Sequence, residues 1–283
     1  LSSVPSIAES RSWVIHAADR RGAVVIGFLR QQLEIFQMVY VSMRTAIFHE
    51  RQGFRSIFSV VLAQIYYTGW QALPLVSGLA LAIGGVVILN ASALTFLADI
   101  KIISKLLVVV VVRELGPLVI ALILIARSGT AIAAEIGGMK VNREIDALKS
   151  MAINPLSFIV FPRIVGGIIS LVCLTFCFNL VALLGGFAVS RIFHDLPFSL
   201  YSETLADTLS IADVGLFLSK NILNGVMIFS IACYEGLKVV ESPHEVPQAT
   251  TRAVMSSIAA VGVTTSLATF AFYLPQLVGL LWT

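Results

Sequence analysis

Residues 113–155 read RELGPLVIALILIARSGTAIAAEIGGMKVNREIDALKSMAINP. The stretch opens inside an apolar run with the adjacent pair Arg113–Glu114. A further cation, Arg127, follows among apolar neighbours. The chain then becomes charged over 135–151, and Asn154-Pro155 begins a new apolar run. A span crossing the hydrocarbon needs about 20 apolar residues. The pattern therefore predicts a membrane helix that feeds a short charged helix outside the bilayer and returns at once.

Composition agrees. The 283 residues are 58% hydrophobic and 12% charged, whereas a soluble domain carries about 25% charged residues. A soluble fold is excluded. The net charge of +3 is small and scattered, which argues against nucleic acid. The three cysteines fit apolar packing better than a disulfide scaffold or metal site. No P-loop, HExxH, GxSxG or histidine cluster appears, so the residues offer no catalytic constellation and no metal site.

Five segments are apolar and long enough to span, at about 69–90, 104–134, 156–193, 214–240 and 253–282. Recurrent glycines in them, such as Gly84-Gly85 and Gly166-Gly167, let helices approach closely in lipid. Residues 1–68 form a separate N-terminal region. Its run 22–48 mixes apolar residues at helical spacing with arginines and glutamines, which suits an amphipathic helix in the membrane interface. The expected fold is an all-α membrane protein: interfacial helices, then a five-span domain over 69–283, with a charged helix at 135–151 between spans two and three.

Loop charge sets the orientation. Thirteen basic residues fall on the side of the N-terminus and of the 135–151 helix; four (Lys101, Lys105, Arg191, Lys220) fall on the other. The N-terminus is thus expected in the cytoplasm and the C-terminus outside. The outer segment 193–212 reads as an exposed acidic loop with a short helical turn.

Arg113 and Glu114 lie well inside an apolar run, where a charge at the helix centre costs about 2.5–3.5 kcal/mol on insertion scales. Adjacent helical residues do not face one another. Each is expected to meet a group on another helix, with Asn90 at the end of span one as a candidate. Gly116-Pro117 kinks the helix just beyond. Two readings stay open: a polar girdle of a translocation cavity, or ion pairs that lock the helices. In the charged helix, Met139, Ile145, Leu148 and Met151 form an apolar stripe. Lys140, Arg143, Glu144, Asp146 and Lys149 form a charged face. This is either a solvated loop helix or one that docks in a groove of a soluble partner.

Residues 113–117 (RELGP), 126–129 (ARSG), 133–137 (AAEIG), 139–141 (MKV), 145–148 (IDAL), 154–155 (NP), 162–163 (PR) and 249–254 (ATTRAV) together resemble the MlaE-type permease family of ABC lipid transporters, over about 69–283. The resemblance implies a homodimer of five-span subunits in a bacterial inner membrane. It implies a separate MlaF-like ATPase holding ATP and Mg, and no cofactor in this chain. A MlaD-like MCE-domain protein would stand on the periplasmic side, and a MlaB-like STAS protein often accompanies the ATPase. The implied cargo is phospholipid. Asn90, Arg113, Glu114 and Pro117 would line the lipid cavity; Glu135, Met139, Lys140, Arg143, Glu144, Asp146 and Leu148 would couple to the ATPase. A permease for another apolar cargo, such as a sterol or solvent, and a non-transporting scaffold are the alternatives.

Overall fold

The computed structural model describes residues 31–46, 54–94, 108–194, 198–240 and 242–281, and among them every long element is a helix. The arginines at 11, 20, 21, 30 and 51, together with Lys101 and Lys105, lie outside the described residues. We number the helices α1 (31–46), α2 (Phe54–Thr68), α3 (Leu73–Leu94), α4 (Gly116–Leu124), α5 (Thr130–Val141), α6 (Glu144–Ser150), α7 (Phe161–His194), α8 (Phe198–Thr208), α9 (Ile211–Leu237) and α10 (Glu245–Leu281).

Five segments are long and apolar enough to cross a membrane: Ile57–Asn90, Val109–Val141, Leu156–Ile192, Ile211–Leu237 and Glu245–Pro275. The first begins earlier than position 69. α2 continues through a tight turn at Trp70–Ala72 into α3, and both halves pack along α7. Burial of Ile57 and Val61 explains why: α2 shares the apolar face that α3 turns to span three. The second span alternates α-helix with wider π-helical turns at Val108–Leu115 and Ile125–Gly129. Such turns re-aim side chains and are frequent at functional positions.

α9 is the hub. It packs against α10, α5, α7 and α4, and its residues 228–233 are wholly buried. α1 lies on the side where spans two to five carry the α5, α7, α9 and α10 ends nearest the charged segment. Its Gln31 amide donates to Glu235 at 3.0 Å, and its Ser42 hydroxyl donates to the Leu156 carbonyl at 2.7 Å. The Tyr234 hydroxyl donates to Glu34.

Two expectations change. The outer segment is not an exposed loop with a turn: α8 is an eleven-residue helix. Tyr201 and Leu205 are buried in it, and the Tyr201 hydroxyl donates to the Leu183 carbonyl at 3.0 Å. Burial pushes that hydroxyl's pKa up. The pair Tyr201 and Leu205, spaced i, i+4, is the face by which this helix rests on the bundle.

The charged segment is also not one helix. α5 ends at Val141, Arg143 takes a left-handed backbone (φ 60°), and α6 runs separately. The turn lets Ile145 fold back into the core at 2% exposure, which a straight continuation of α5 would carry away from it. Met151 does not join that apolar face; it is 69% exposed.

Spans one and three approach closely at Gly84. A Cβ placed on Gly84 would collide with the backbone of Ala182, whereas one on Gly78 would meet nothing within 4 Å. Gly84→Ala is therefore expected to destabilise the fold by about 1–3 kcal/mol through overpacking, with Gly78→Ala neutral. Thermal unfolding of the two variants in detergent checks this.

Candidate functional site: charges buried among spans two, four and five

The chemistry starts from a proline. Pro117 stands where the π-helical turn Val108–Leu115 gives way to α4, and it has no N–H to donate there. Within a membrane a freed carbonyl must find another donor. Lys220 of α9 supplies it: its Nζ lies 2.9 Å from the Arg113 carbonyl oxygen and 2.8 Å from Glu114 Oε1. The lysine is fully buried, while Glu114 is 37% exposed. One ammonium thus bonds a carbonyl at this junction and neutralises the carboxylate beside it.

Arg113 turns the other way. Its Nε lies 2.9 Å from Asp213 Oδ1, and its other amines donate to Asp213 Oδ2 and the Tyr273 hydroxyl, each at 3.1 Å. Its guanidinium also stands 5.8 Å from the centre of the Phe272 ring. Asp213 is fixed independently by a reciprocal cap at the start of α9: it accepts from the Ser210 backbone N–H at 2.9 Å, and Ser210 accepts from Ala212. A helix N-terminus favours a carboxylate, and the cap fixes Asp213 where the arginine meets it.

A neutral polar seam extends inward. Thr269 donates to Glu114 at 3.2 Å. Thr264 donates to Asn224 at 2.8 Å, and Asn224 donates to Thr265 at 3.2 Å. Thr175 of span three donates to Asn221 at 2.8 Å. Gly116 packs tightly beside this seam: a Cβ there would meet the side-chain amide of Asn179, which would have to shift.

On the open side of the cluster lies a cleft of ≈ 540 Å³, walled by Glu114 and Leu118 of span two and by Thr265, Thr269, Phe270 and Tyr273 of span five. Glu114 is the acidic residue that lines it. The cleft therefore offers a carboxylate and hydroxyls at one level and apolar walls beside them. That combination suits an amphiphile.

Arg113 and Glu114 do each meet another helix, yet neither meets Asn90. Asn90 donates to the Val86 carbonyl of its own helix at 2.8 Å, because span one packs along span three while Arg113 faces spans four and five. Pro117 is buried behind the cleft. Lys220 is no outer-loop charge; it lies within α9. Asp213, Lys220, Thr269 and Tyr273 are the partners that sequence reasoning missed. The signal was present: 213, 220, 221 and 224 fall on one face of a helix, as do 265, 269 and 273.

At the opposite end, Glu135 of α5 pairs with Arg163 of span three at 2.7 Å. Met139 and Leu148 pack against the core, and Lys140 is half-buried. Arg143, Glu144, Asp146 and Lys149 point outward. Lys149 sits 3.0 Å from Asp146 and holds that carboxyl below the usual range. The outward face of α6 is thus polar and part of the molecule's end surface.

The family profile described as Permease MlaE matches residues 61–271. A probable ABC transporter permease protein of Rickettsia bellii is 30% identical over 217 residues, covering 76% of this chain and 84% of the relative. The intermembrane phospholipid transport system permease protein MlaE of Haemophilus influenzae is 30% identical over 218 residues, covering 74% and 81%. A probable ABC transporter permease protein of a Synechocystis species is 32% identical over 149 residues, covering 53% and 57%.

Lys220→Met would leave Glu114 without its cation and the Arg113 carbonyl without its donor. Breaking a buried pair by removing one partner costs about 3–5 kcal/mol; the exposure of Glu114 reduces the expectation to about 2 kcal/mol. Glu114→Gln combined with Lys220→Met should recover part of it. Denaturation of the single and double variants in detergent measures the difference.

Proposed function

The chain belongs to the MlaE permease family, and on that premise we propose that it is the membrane subunit of an ABC-type transporter that moves phospholipid. It spans the membrane several times, and its relatives are named as ABC permeases, which work in systems with other subunits. The cargo, the partners and the orientation are our reading.

The observation that carries the cargo is the cleft at Glu114. A phospholipid presents a phosphate, often an ammonium, and two acyl chains. The cleft sets a partly exposed carboxylate and four hydroxyl side chains next to Leu118 and Phe270. The buried groups behind it, Arg113 with Asp213 and Lys220 with Glu114, cancel in charge. The site can therefore receive a zwitterionic headgroup without leaving a net charge in lipid. Asn90 has no place in this cleft and is dropped from the proposed lining.

The α1 side carries most of the basic residues, so we place it in the cytoplasm of a bacterial inner membrane and the C-terminus in the periplasm. The outward face of α6 would dock on a MlaF-like ATPase that binds ATP and Mg; a MlaB-like STAS protein would sit on that ATPase. A MlaD-like MCE-domain protein would exchange lipid on the periplasmic side, and a second copy of this chain would complete the cavity. The ATPase would shift cleft affinity only through contacts that differ between its states. The Glu135–Arg163 pair, which ties α5 to span three, is where such contacts would reach the spans.

Reconstituted with its ATPase in vesicles, the protein should transfer radiolabelled phospholipid in an ATP-dependent way. Glu114→Gln should reduce transfer about tenfold, the loss of one charge-assisted contact. Arg143→Glu should reduce ATP-dependent transfer while lipid still enters the cleft. Transfer of sterol but not phospholipid by the wild type would move the cargo assignment; no ATP-dependent transfer of any lipid would overturn the reading.

A further inference from the structure

Among the cations set inside the spans away from their ends, Arg113 and Lys220 each face a carboxylate, and Arg127 faces none among the described residues. One Arg127 amine donates to Gln71 at 3.0 Å. Its other terminal amine is buried and has no hydrogen-bond partner among the described residues. Both residues occupy breaks in helix regularity: Gln71 lies in the tight turn Trp70–Ala72, and Arg127 in the π-helical turn Ile125–Gly129. Spans one and two share no extensive packing: span one packs on span three, and span two on spans three, four and five. The Gln71–Arg127 hydrogen bond therefore links two spans that have no extensive packing of their own.

Depth matters here. At about 1.5 Å per residue, Arg127 lies about 21 Å from Arg113 and about 12 Å from Glu135 along span two. With a hydrocarbon core about 30 Å thick, it sits below the surface in the half of the membrane nearer α1. An ionised side chain at that depth calls for a counter-charge, and no described residue supplies one. The neighbouring surface is apolar and uncovered: Leu75, one turn from Gln71 on the same face, is 53% exposed, and Leu122 is 40% exposed.

We propose that Arg127, with Gln71, binds a phosphate group, that of a phospholipid seated between spans one and two in the membrane half nearer α1. This site is separate from the Glu114 cleft. It rests on the phospholipid reading above. Arginine suits the role because its planar fork donates to two phosphate oxygens at once. Gln71 orients the fork, and the acyl chains lie along Leu75 and Leu122.

The test uses the full chain in vesicles of phosphatidylethanolamine, phosphatidylglycerol and diacylglycerol, with a photoreactive residue replacing Leu75. Mass spectrometry identifies the lipid adducts. Phospholipid adducts should dominate and fall about tenfold in Arg127→Gln, the value of one charge-assisted hydrogen bond. Gln71→Leu, which keeps the charge, should cause a smaller fall and serves if Arg127→Gln fails to assemble. Adducts at a probe replacing Phe176, exposed on span three, should not change. Equal labelling by diacylglycerol, or unchanged adducts in Arg127→Gln, would overturn the site. Displacement by inorganic phosphate would assign the ligand to the free anion and overturn its lipid form. Loss of dimer with adducts unchanged would make Arg127 a contact between copies. ATP-driven transfer by the wild type, with unchanged adducts in the variant, would sink this site alone; absence of transfer would sink the functional reading instead.

Discussion

A carbonyl without a donor organises the centre of this protein. Pro117 can donate no backbone N–H where the π-helical turn meets α4, and lipid offers no replacement donor. Lys220 enters from α9 to supply one. Bringing an ammonium there requires a carboxylate, and Glu114 is that carboxylate. Once Lys220 is committed to Glu114, Arg113 needs a separate anion, which Asp213 provides from the capped start of α9. Each element of the cluster follows from the one before. The result ties spans two, four and five together around groups that could not survive singly in hydrocarbon.

The arrangement also bears on the two readings of the embedded charges, girdle or lock. The residues divide. Arg113, Asp213 and Lys220 are nearly or wholly buried and pair with one another's helices, which is what a lock requires. Glu114 is shared: one oxygen meets Lys220 and Thr269, and the side chain still opens on the cleft. A site built this way has its polar face held rigid from behind. Movement at the cleft then means movement of whole helices, and α9, which contacts most of the others, is the element that would carry it.

Much of this was legible in the residues. Five apolar runs separated by charged segments set the class and the number of spans, because hydrocarbon thickness imposes a length. Arg113, Glu114 and Pro117 stood out because each is costly in its place. Their partners did not. Lys220 looked like a loop charge and Asp213 drew no attention, although both share a helical face with Asn221 and Asn224. The turn at Asn142–Arg143 was hidden for a different reason: a charged amphipathic segment fits one helix or two equally well, and only the burial of Ile145 selects two.

By itself, then, the sequence determined the membrane class, the span count and the presence of charges that must be satisfied, since these depend on local hydropathy and on the cost of charge in lipid. Pairing was decided by tertiary structure alone. Which carboxylate meets which cation depends on the order in which helices pack, and that order follows from glycine-lined approaches such as Gly84 on Ala182 and Gly236 on α5. The same packing left Asn90 hydrogen-bonded to its own helix and brought Gln71 to Arg127. Close approach between distant segments is a property of shape, and no single stretch of the chain encodes it.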